Sequence, residues 1–189
     1  MKISVCIATY NGEKYIKEQL ESILSQIGEH DEVIISDDIS NDKTVEIIKS
    51  FQDNRIKIYI NKEKFGATAN FNESLSKASG DVIFLSDQDD IWLNNKVSIC
   101  LKNLEIYDLI VTNCKVTDEN LNITHNSYFD VVGSGKGFVK NLYKSTYLGC
   151  CLAFNRKVLE AVLPIPNNLL MYHDWWIGFI AEREFKVYF

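Results

Sequence analysis

The chain of 189 residues is poor in several things, and each shortage removes a class of protein. Its cysteines, Cys6, Cys100, Cys114, Cys150 and Cys151, are odd in number and include no CxxC pair. That excludes a disulfide framework or a cysteine zinc site and favours a reducing cytosol. No run of Lys and Arg is long enough to track a phosphate backbone. With a net charge of −6 and a pI of about 5.1, nucleic acid is excluded as a partner. No apolar stretch approaches the roughly twenty residues of a membrane span. Repeats, low-complexity tracts and linkers are also missing, so one globular domain over 1–189 is expected. Met1 to Val5 leads straight into a strand pattern, which predicts no signal peptide. The expected location is cytoplasmic. Peripheral attachment at the inner face of the membrane stays open, although the net negative charge argues against an autonomous membrane-surface patch.

What is present is an alternation. Ile3–Ala8, Val33–Ile35, Arg55–Ile60 and Val82–Leu85 read as strands, and apolar residues at helical spacing lie between them. Ile16, Leu20, Ile23, Leu24 and Ile27 form one such stripe; Val45, Ile48 and Phe51 form the next; Phe71, Leu75 and Ala78 the third. Strand–helix alternation predicts an α/β fold with a mainly parallel sheet and right-handed crossovers. Val97, Leu101 and Leu104 mark a further helix and Leu109–Val111 a further strand. After residue 113 the rhythm fails. Thr117–Thr124 is turn-rich, and Val131–Lys140 reads as a mobile or ligand-facing loop or a plain surface connection. A strand over Tyr147–Phe154, a helix over Arg156–Val162 stopped by Pro164 and Pro166, and a last helix from Asp174 to about Glu184 follow. Lys186–Phe189 looks like a strand begun and not finished, which predicts a C-terminally truncated chain.

Three strand ends are polar: Thr9-Tyr10-Asn11, Asp37-Asp38 and Asp87-Gln88-Asp89-Asp90. In a doubly wound sheet they share one edge, where such folds bind ligands. If the backbone stays extended after Leu85, Asp87 and Asp89 point the same way and suit a hard divalent cation carrying a diphosphate. The other reading is an acidic turn with Asp90 capping the next helix. The first loop has a single glycine, Gly12, so neither a dinucleotide fingerprint nor a P-loop is supported. An EF-hand fails because Trp92 and Ser98 stand where glycine and glutamate are needed.

Five blocks, in order and spacing, resemble glycosyltransferase family 2: Ala8-Thr9-Tyr10-Asn11; Ser36-Asp37-Asp38; Ser86-Asp87-Gln88-Asp89-Asp90-Ile91-Trp92; Gly149-Cys150-Cys151-Leu152-Ala153-Phe154-Asn155; and His173-Asp174-Trp175-Trp176. The look is nearest to bacterial rhamnosyltransferase-like enzymes of surface-polysaccharide assembly. The resemblance implies an A-type glycosyltransferase fold, with a Rossmann-like nucleotide-sugar half over 1–113 and a more irregular acceptor half over 114–189. It implies a UDP- or dTDP-sugar donor, a saccharide or lipid-linked saccharide acceptor, and Mg²⁺ or Mn²⁺. By position, Thr9, Tyr10 and Asn11 would line the donor pocket, with Tyr10 at the nucleobase, and Asp38 would accept from the base imide. Asn70, following Gly66, reads either as helping to position the donor or as a helix-surface asparagine. Asp87 and Gln88 would lie near ribose and sugar, Asp89 with Asp87 would hold the metal, and Asp174 would be the general base. Asp174 also reads as a helix N-cap. Trp175 and Trp176 read as packing, His173 as a satisfied loop histidine, and Cys150 and Cys151 as small core residues. The family usually has Gly or Asn after its second-strand acids, and Ile39 stands there.

Two other readings remain at this level. A sugar nucleotidyltransferase also uses acidic strand ends and a metal, but would want a Gly-rich basic first loop. A truncated nucleotide-binding module would bind donor without turnover.

Overall fold

In a computed structural model, which describes residues 1–166 and 171–189, the alternation builds one seven-stranded sheet. Its strands are β1 (Ile3–Thr9), β2 (Glu32–Asp37), β3 (Ile56–Ile60), β4 (Val82–Ser86), β5 (Leu109–Val111), β8 (Leu152–Asn155) and β9 (Val187–Tyr188). They lie in the order β3-β2-β1-β4-β8-β5-β9, all parallel except β8, which runs antiparallel to both β4 and β5. The reversal of strand order at β1, with β2 on one side and β4 on the other, makes the crevice where a doubly wound sheet binds ligands. β6 (Val116–Thr117) and β7 (Ile123–His125) form a separate small hairpin.

Both faces of the sheet are covered, which is why β1, β2 and β4 read as unbroken apolar runs. Val5, Ile7, Val82 and Phe84 pack on one side with α1 (Ile16–Leu24), α2 (Thr44–Ser50) and α4 (Lys96–Leu104). Cys6, Ile83, Leu85 and Phe154 face the other, against α3 (Ala67–Ser76), α7 (Arg156–Val162) and α8 (His173–Glu184). The alternation of Val82/Phe84 with Ile83/Leu85 follows the period-two geometry of a strand.

The second half departs from expectation in two places. The loop read over Val131–Lys140 is partly helical: α5 (Tyr128–Val132) and α6 (Phe138–Tyr143) flank a glycine-rich link. The strand read over Tyr147–Phe154 begins only at Leu152, after a 3₁₀ turn over Gly149–Cys151. Helices this short carry too few residues for apolar periodicity to show. Lys186–Phe189 contains β9, which pairs with β5.

Candidate active site

The three polar strand ends do meet at one edge, held together by side-chain to backbone bonds. Asp37, fully buried, accepts from Thr9 Oγ1 at 2.9 Å and from the Ser40 N–H and hydroxyl at 2.9 and 2.6 Å. Asn11 Oδ1 accepts from the Asn41 N–H at 3.0 Å. Gln88 makes a double clamp: its Oε1 accepts from Tyr10 N–H at 2.9 Å and its Nε2 donates to Tyr10 O at 3.1 Å. Gly12 is required by that clamp, since a Cβ there would lie 2.4 Å from Gln88 Oε1. Thr9, Asn11 and Gln88 therefore shape the loops. Asn70 is buried and joins the same frame, donating from Nδ2 to Thr9 O at 3.2 Å; it is not a helix-surface residue.

Asp38 takes the Phe65 and Gly66 N–H groups at 2.7 and 2.9 Å and Asn61 Nδ2 at 3.1 Å. Burial pushes its carboxyl upward, but these donors outweigh burial and hold it below the usual range. Three of about four carboxylate acceptor positions are used, which leaves one for a ligand N–H. Gly66 can approach because it sits at φ 78, open to glycine. Beside Asp38, Ile39 is at φ 59, a left-handed conformation that is a genuine outlier for a β-branched residue. That explains why glycine or asparagine suits this position. Tyr10 is exposed, with Lys64 Nζ 4.3 Å from its ring centroid.

The acidic stretch differs from the extended reading. β4 stops at Ser86 and the chain turns through Gln88 and Asp89, so period-two alternation ends and Asp87 and Asp89 do not pair. The turn brings Asp87 to Asp90 and to Cys150, with one ligand atom of each within 4.8 Å of the others. Asp89 is exposed and makes no hydrogen bond to a described residue. Asp90 does not cap the next helix: the N-cap of α4 is Asn95. Burial, then the charges of Asp90, Asp89 and Asp174, push the Asp87 carboxyl up to about 7. Burial also raises Asp90, whose Oδ2 is buried without a partner among the described residues.

Asp174 lies in the first turn of α8, and Tyr172 holds the N-cap position. Its Oδ1 accepts from Trp175 N–H at 2.7 Å, and burial raises its carboxyl above the usual range. Trp175 and Trp176 pack as expected, donating to Asn141 O and Val162 O at 2.7 and 2.9 Å. His173 is not satisfied. It is buried, stacked on Phe71 at 4.0 Å between centroids, with neither ring nitrogen partnered among the described residues. Burial lowers its pKa to about 4, so the ring is neutral at pH 7. Asp90, Cys150 and His173 belong to this edge, where the sequence had offered them only structural roles, as a helix cap in an acidic turn, a small core residue and a satisfied loop histidine.

A carboxylate cluster whose pKa values are raised by burial and then by its own neighbours, and which holds an unpartnered buried oxygen, fits a hard divalent cation. The Cys150 thiol lies beside the two carboxylates but does not suit such an ion as a ligand. Fold and site thus define an α/β protein of A-type glycosyltransferase architecture, with carboxylates gathered at the sheet's switch point.

The sequence pattern of glycosyl transferase family 2 matches residues 4–163, and the chain belongs to that family. It is 42% identical over 206 aligned positions to the dTDP-rhamnosyl transferase RfbG of Shigella flexneri, covering 96% of this chain and 67% of RfbG. It is 29% identical to the Escherichia coli UDP-Glc:alpha-D-GlcNAc-diphosphoundecaprenol beta-1,3-glucosyltransferase WfgD, covering 96% of this chain and 71% of WfgD. The mannosyltransferase PcManGT of Pyrobaculum calidifontis, solved with GDP-Man and Mn²⁺, superposes with a TM-score of 0.72 at 20% identity, over 98% of this chain and 53% of that one. Against several other curated relatives the chain spans less than half of their length.

Proposed function

We propose that this protein transfers a sugar, with inversion, from a UDP- or dTDP-sugar to a saccharide or lipid-linked saccharide in surface-polysaccharide assembly. The observation that carries the reading is the convergence of Asp174, from a helix late in the chain, on the Asp87–Asp90 turn: its Cβ would lie 3.6 Å from a Cβ placed on Gly149, the neighbour of the Cys150 that meets Asp87 and Asp90. Family membership and the donors and acceptors in the names of RfbG and WfgD support it. The first loop, with Gly12 as its single glycine and Lys14 as its single basic residue, is not the Gly-rich basic loop a nucleotidyltransferase would want, and family membership also argues against that class.

Inverting transfer is a single displacement. The acceptor oxygen forms a bond to the anomeric carbon as the bond from that carbon to the diphosphate oxygen breaks. The acceptor proton goes to Asp174, whose buried carboxylate is a stronger base than an exposed one. The nucleoside diphosphate departs with the bonding electron pair. Asp87 with Asp90, and the exposed Asp89 of the same turn, would hold Mg²⁺ or Mn²⁺, which when bound offsets the charge gained by the leaving group. Asp38 offers its free acceptor position to the imide N–H of the base, and Tyr10 its ring face once Lys64 moves aside. Thr9, Asn11, Asn70 and Gln88 keep these groups in register. The division into a donor half over 1–113 and an acceptor half over 114–189 follows from these roles.

A cytoplasmic location agrees with five free cysteines, and no described helix is long and apolar enough to cross a membrane. The test is a thermal-shift screen of UDP-, dTDP- and GDP-sugars with and without Mn²⁺. A donor raises the melting temperature by mass action. Stabilisation by a UDP- or dTDP-sugar only with the metal supports the reading; no stabilisation by any nucleotide sugar sinks it. Binding without transfer to any acceptor would favour a module that holds nucleotide only.

A further inference from the structure

The net charge of −6 is unevenly distributed. From Val131 to Leu159 there is no acidic residue, while Lys136, Lys140, Lys144, Arg156 and Lys157 are basic. Within this segment α6 presents an unusual surface. Of its six residues only Asn141 is buried, and Phe138, Val139, Leu142 and Tyr143 are exposed, Val139 at 65% and Tyr143 at 83%.

The geometry of the helix sorts these side chains. With about 100° between successive residues, Val139 and Tyr143 point away from Asn141, Phe138 and Leu142 flank them on one side and Lys140 on the other, with exposed Lys144 following at the C-cap in extended backbone. The exposure values follow that order, since Phe138 and Leu142 are exposed at 38% and 40%. An exposed apolar edge lined by lysines is the pattern of a helix lying in a bilayer interface, with ammonium groups reaching the headgroups.

The lysines are not neutralised. Lys140 Nζ donates to the uncharged Gly133 carbonyl, Lys136 Nζ lies over the Tyr107 ring, and none of Lys136, Lys140 and Lys144 pairs with a carboxylate among the described residues. Of the nearby acids, Asp130 ends the segment on α5, and Glu182 is occupied by Gly137 N–H, Tyr147 hydroxyl and Asn141. Asn141 is also the attachment point, its carbonyl accepting from Trp175 Nε1 in the first turn of α8. The patch is thus fastened one residue from Asp174.

We propose that α6 with Lys136, Lys140 and Lys144 is a docking surface for an anionic lipid bilayer, laying the molecule on the membrane with Asp174 near the headgroup plane. This goes beyond the proposed reaction and does not depend on it, because vesicle binding needs neither donor nor turnover. Three lysines brought to an anionic surface favour binding by a factor on the order of 100, and salt screens that factor.

The test is flotation of the intact protein with phosphatidylcholine vesicles, with or without about 30% phosphatidylglycerol, at ~50 and ~500 mM salt. Expected is binding at least about tenfold stronger to the anionic vesicles at low salt, mostly lost at high salt. Val139→Asp with Tyr143→Asp should abolish it, and Lys144→Gln should weaken it several-fold, both with unchanged melting temperature. Equal binding to neutral and anionic vesicles, no binding to either, or binding indifferent to both variants overturns the proposal. So does a concentration-dependent dimer that Val139→Asp with Tyr143→Asp dissolves, which would assign the face to a second copy of the chain.

Discussion

The two ends of the sheet hold carboxylates in opposite conditions. At the amino ends of the strands, Glu32 is 1% exposed and fully engaged. Lys57 Nζ and Lys2 Nζ donate to it at 2.7 and 2.9 Å, Ser4 Oγ at 2.6 Å, and the Ser79 N–H and hydroxyl at 2.8 Å. Burial alone would raise its pKa, but these donors outweigh burial and hold it well below the carboxylate range. At the carboxyl ends, Asp87, Asp90 and Asp174 form no ion pair among the described residues; burial pushes all three up, and neighbouring carboxylates add to it at Asp87 and Asp90. The lesson is that burying an acid is tolerable in either of two ways. One supplies its partners within the fold and makes it structural. The other leaves a position to be filled by something that binds, which is how functional sites come to hold perturbed groups.

Substitutions can break this contrast at either end. The largest effect belongs to Asp174→Asn, which should lower transfer by about 10²–10⁴-fold, the usual worth of a general base. Metal-dependent donor affinity should stay within about threefold, since the change leaves the metal and nucleotide contacts in place. Retained turnover in a single-turnover assay would remove Asp174 from the mechanism.

Next comes the cation. Asp89→Ala should weaken nucleotide-sugar binding by about tenfold or more in Mn²⁺ and change little without it. Titration calorimetry with and without the ion decides this, and equal affinities in both conditions refute the assignment.

Glu32→Gln acts on stability alone. Loss of the charge that Lys2 and Lys57 share should cost about 3 kcal/mol, at the low end for breaking a buried pair because both lysines are partly solvated. Denaturant unfolding measures it, and transfer per folded molecule should not change.

The pH dependence separates the two ends by sign. Asp87 has a folded pKa raised to about 7, above its unfolded value, so the folded state holds an extra proton from about pH 4 to 7. Metal-free stability therefore falls as pH rises through that window, by no more than ~4 kcal/mol. Glu32, with its folded pKa lowered, contributes fully above the usual carboxylate pKa, and that contribution disappears as pH falls below it. Unfolding curves across pH should show Asp87→Asn flattening the neutral side and Glu32→Gln the acid side. Identical profiles for wild type and Asp87→Asn would contradict the crowded-carboxylate picture. The smallest effect is Ile39→Gly or Ile39→Asn, which should stabilise by about 1 kcal/mol by relieving the left-handed strain.

The donor side of the fold was largely legible in the residues. β1, β2 and β4 show as apolar runs because both their faces are covered, and each run ends in polar residues at the edge that proved common. The α8 boundary was also close, His173–Glu184 against a predicted start at Asp174. Beyond residue 113 the elements shorten to two to six residues before α7, and local periodicity has nothing to repeat over. The docking face on α6 was hidden for that reason, and because net charge averages over the chain. Within the site, Thr9, Asn11, Asn70 and Gln88 were named as donor contacts, while their observed bonds are to one another's loops. Residue type at a strand end does not tell whether a polar group faces a ligand or a neighbouring turn.

The sequence by itself determined the alternating layers, the shared polar edge and the membership in glycosyltransferase family 2, because these depend on spacing between near neighbours and on blocks kept in order. Tertiary structure decided which carboxylates meet. A turn after β4 exchanged Asp89 for Asp90 as the partner of Asp87, and chain crossovers brought in Cys150 and Asp174 from far along the sequence. It also decided which buried acid is satisfied and which is left waiting. Hydrogen-bond partners and local dielectric are set by what folds against a residue, and no reading of its neighbours in the chain contains that.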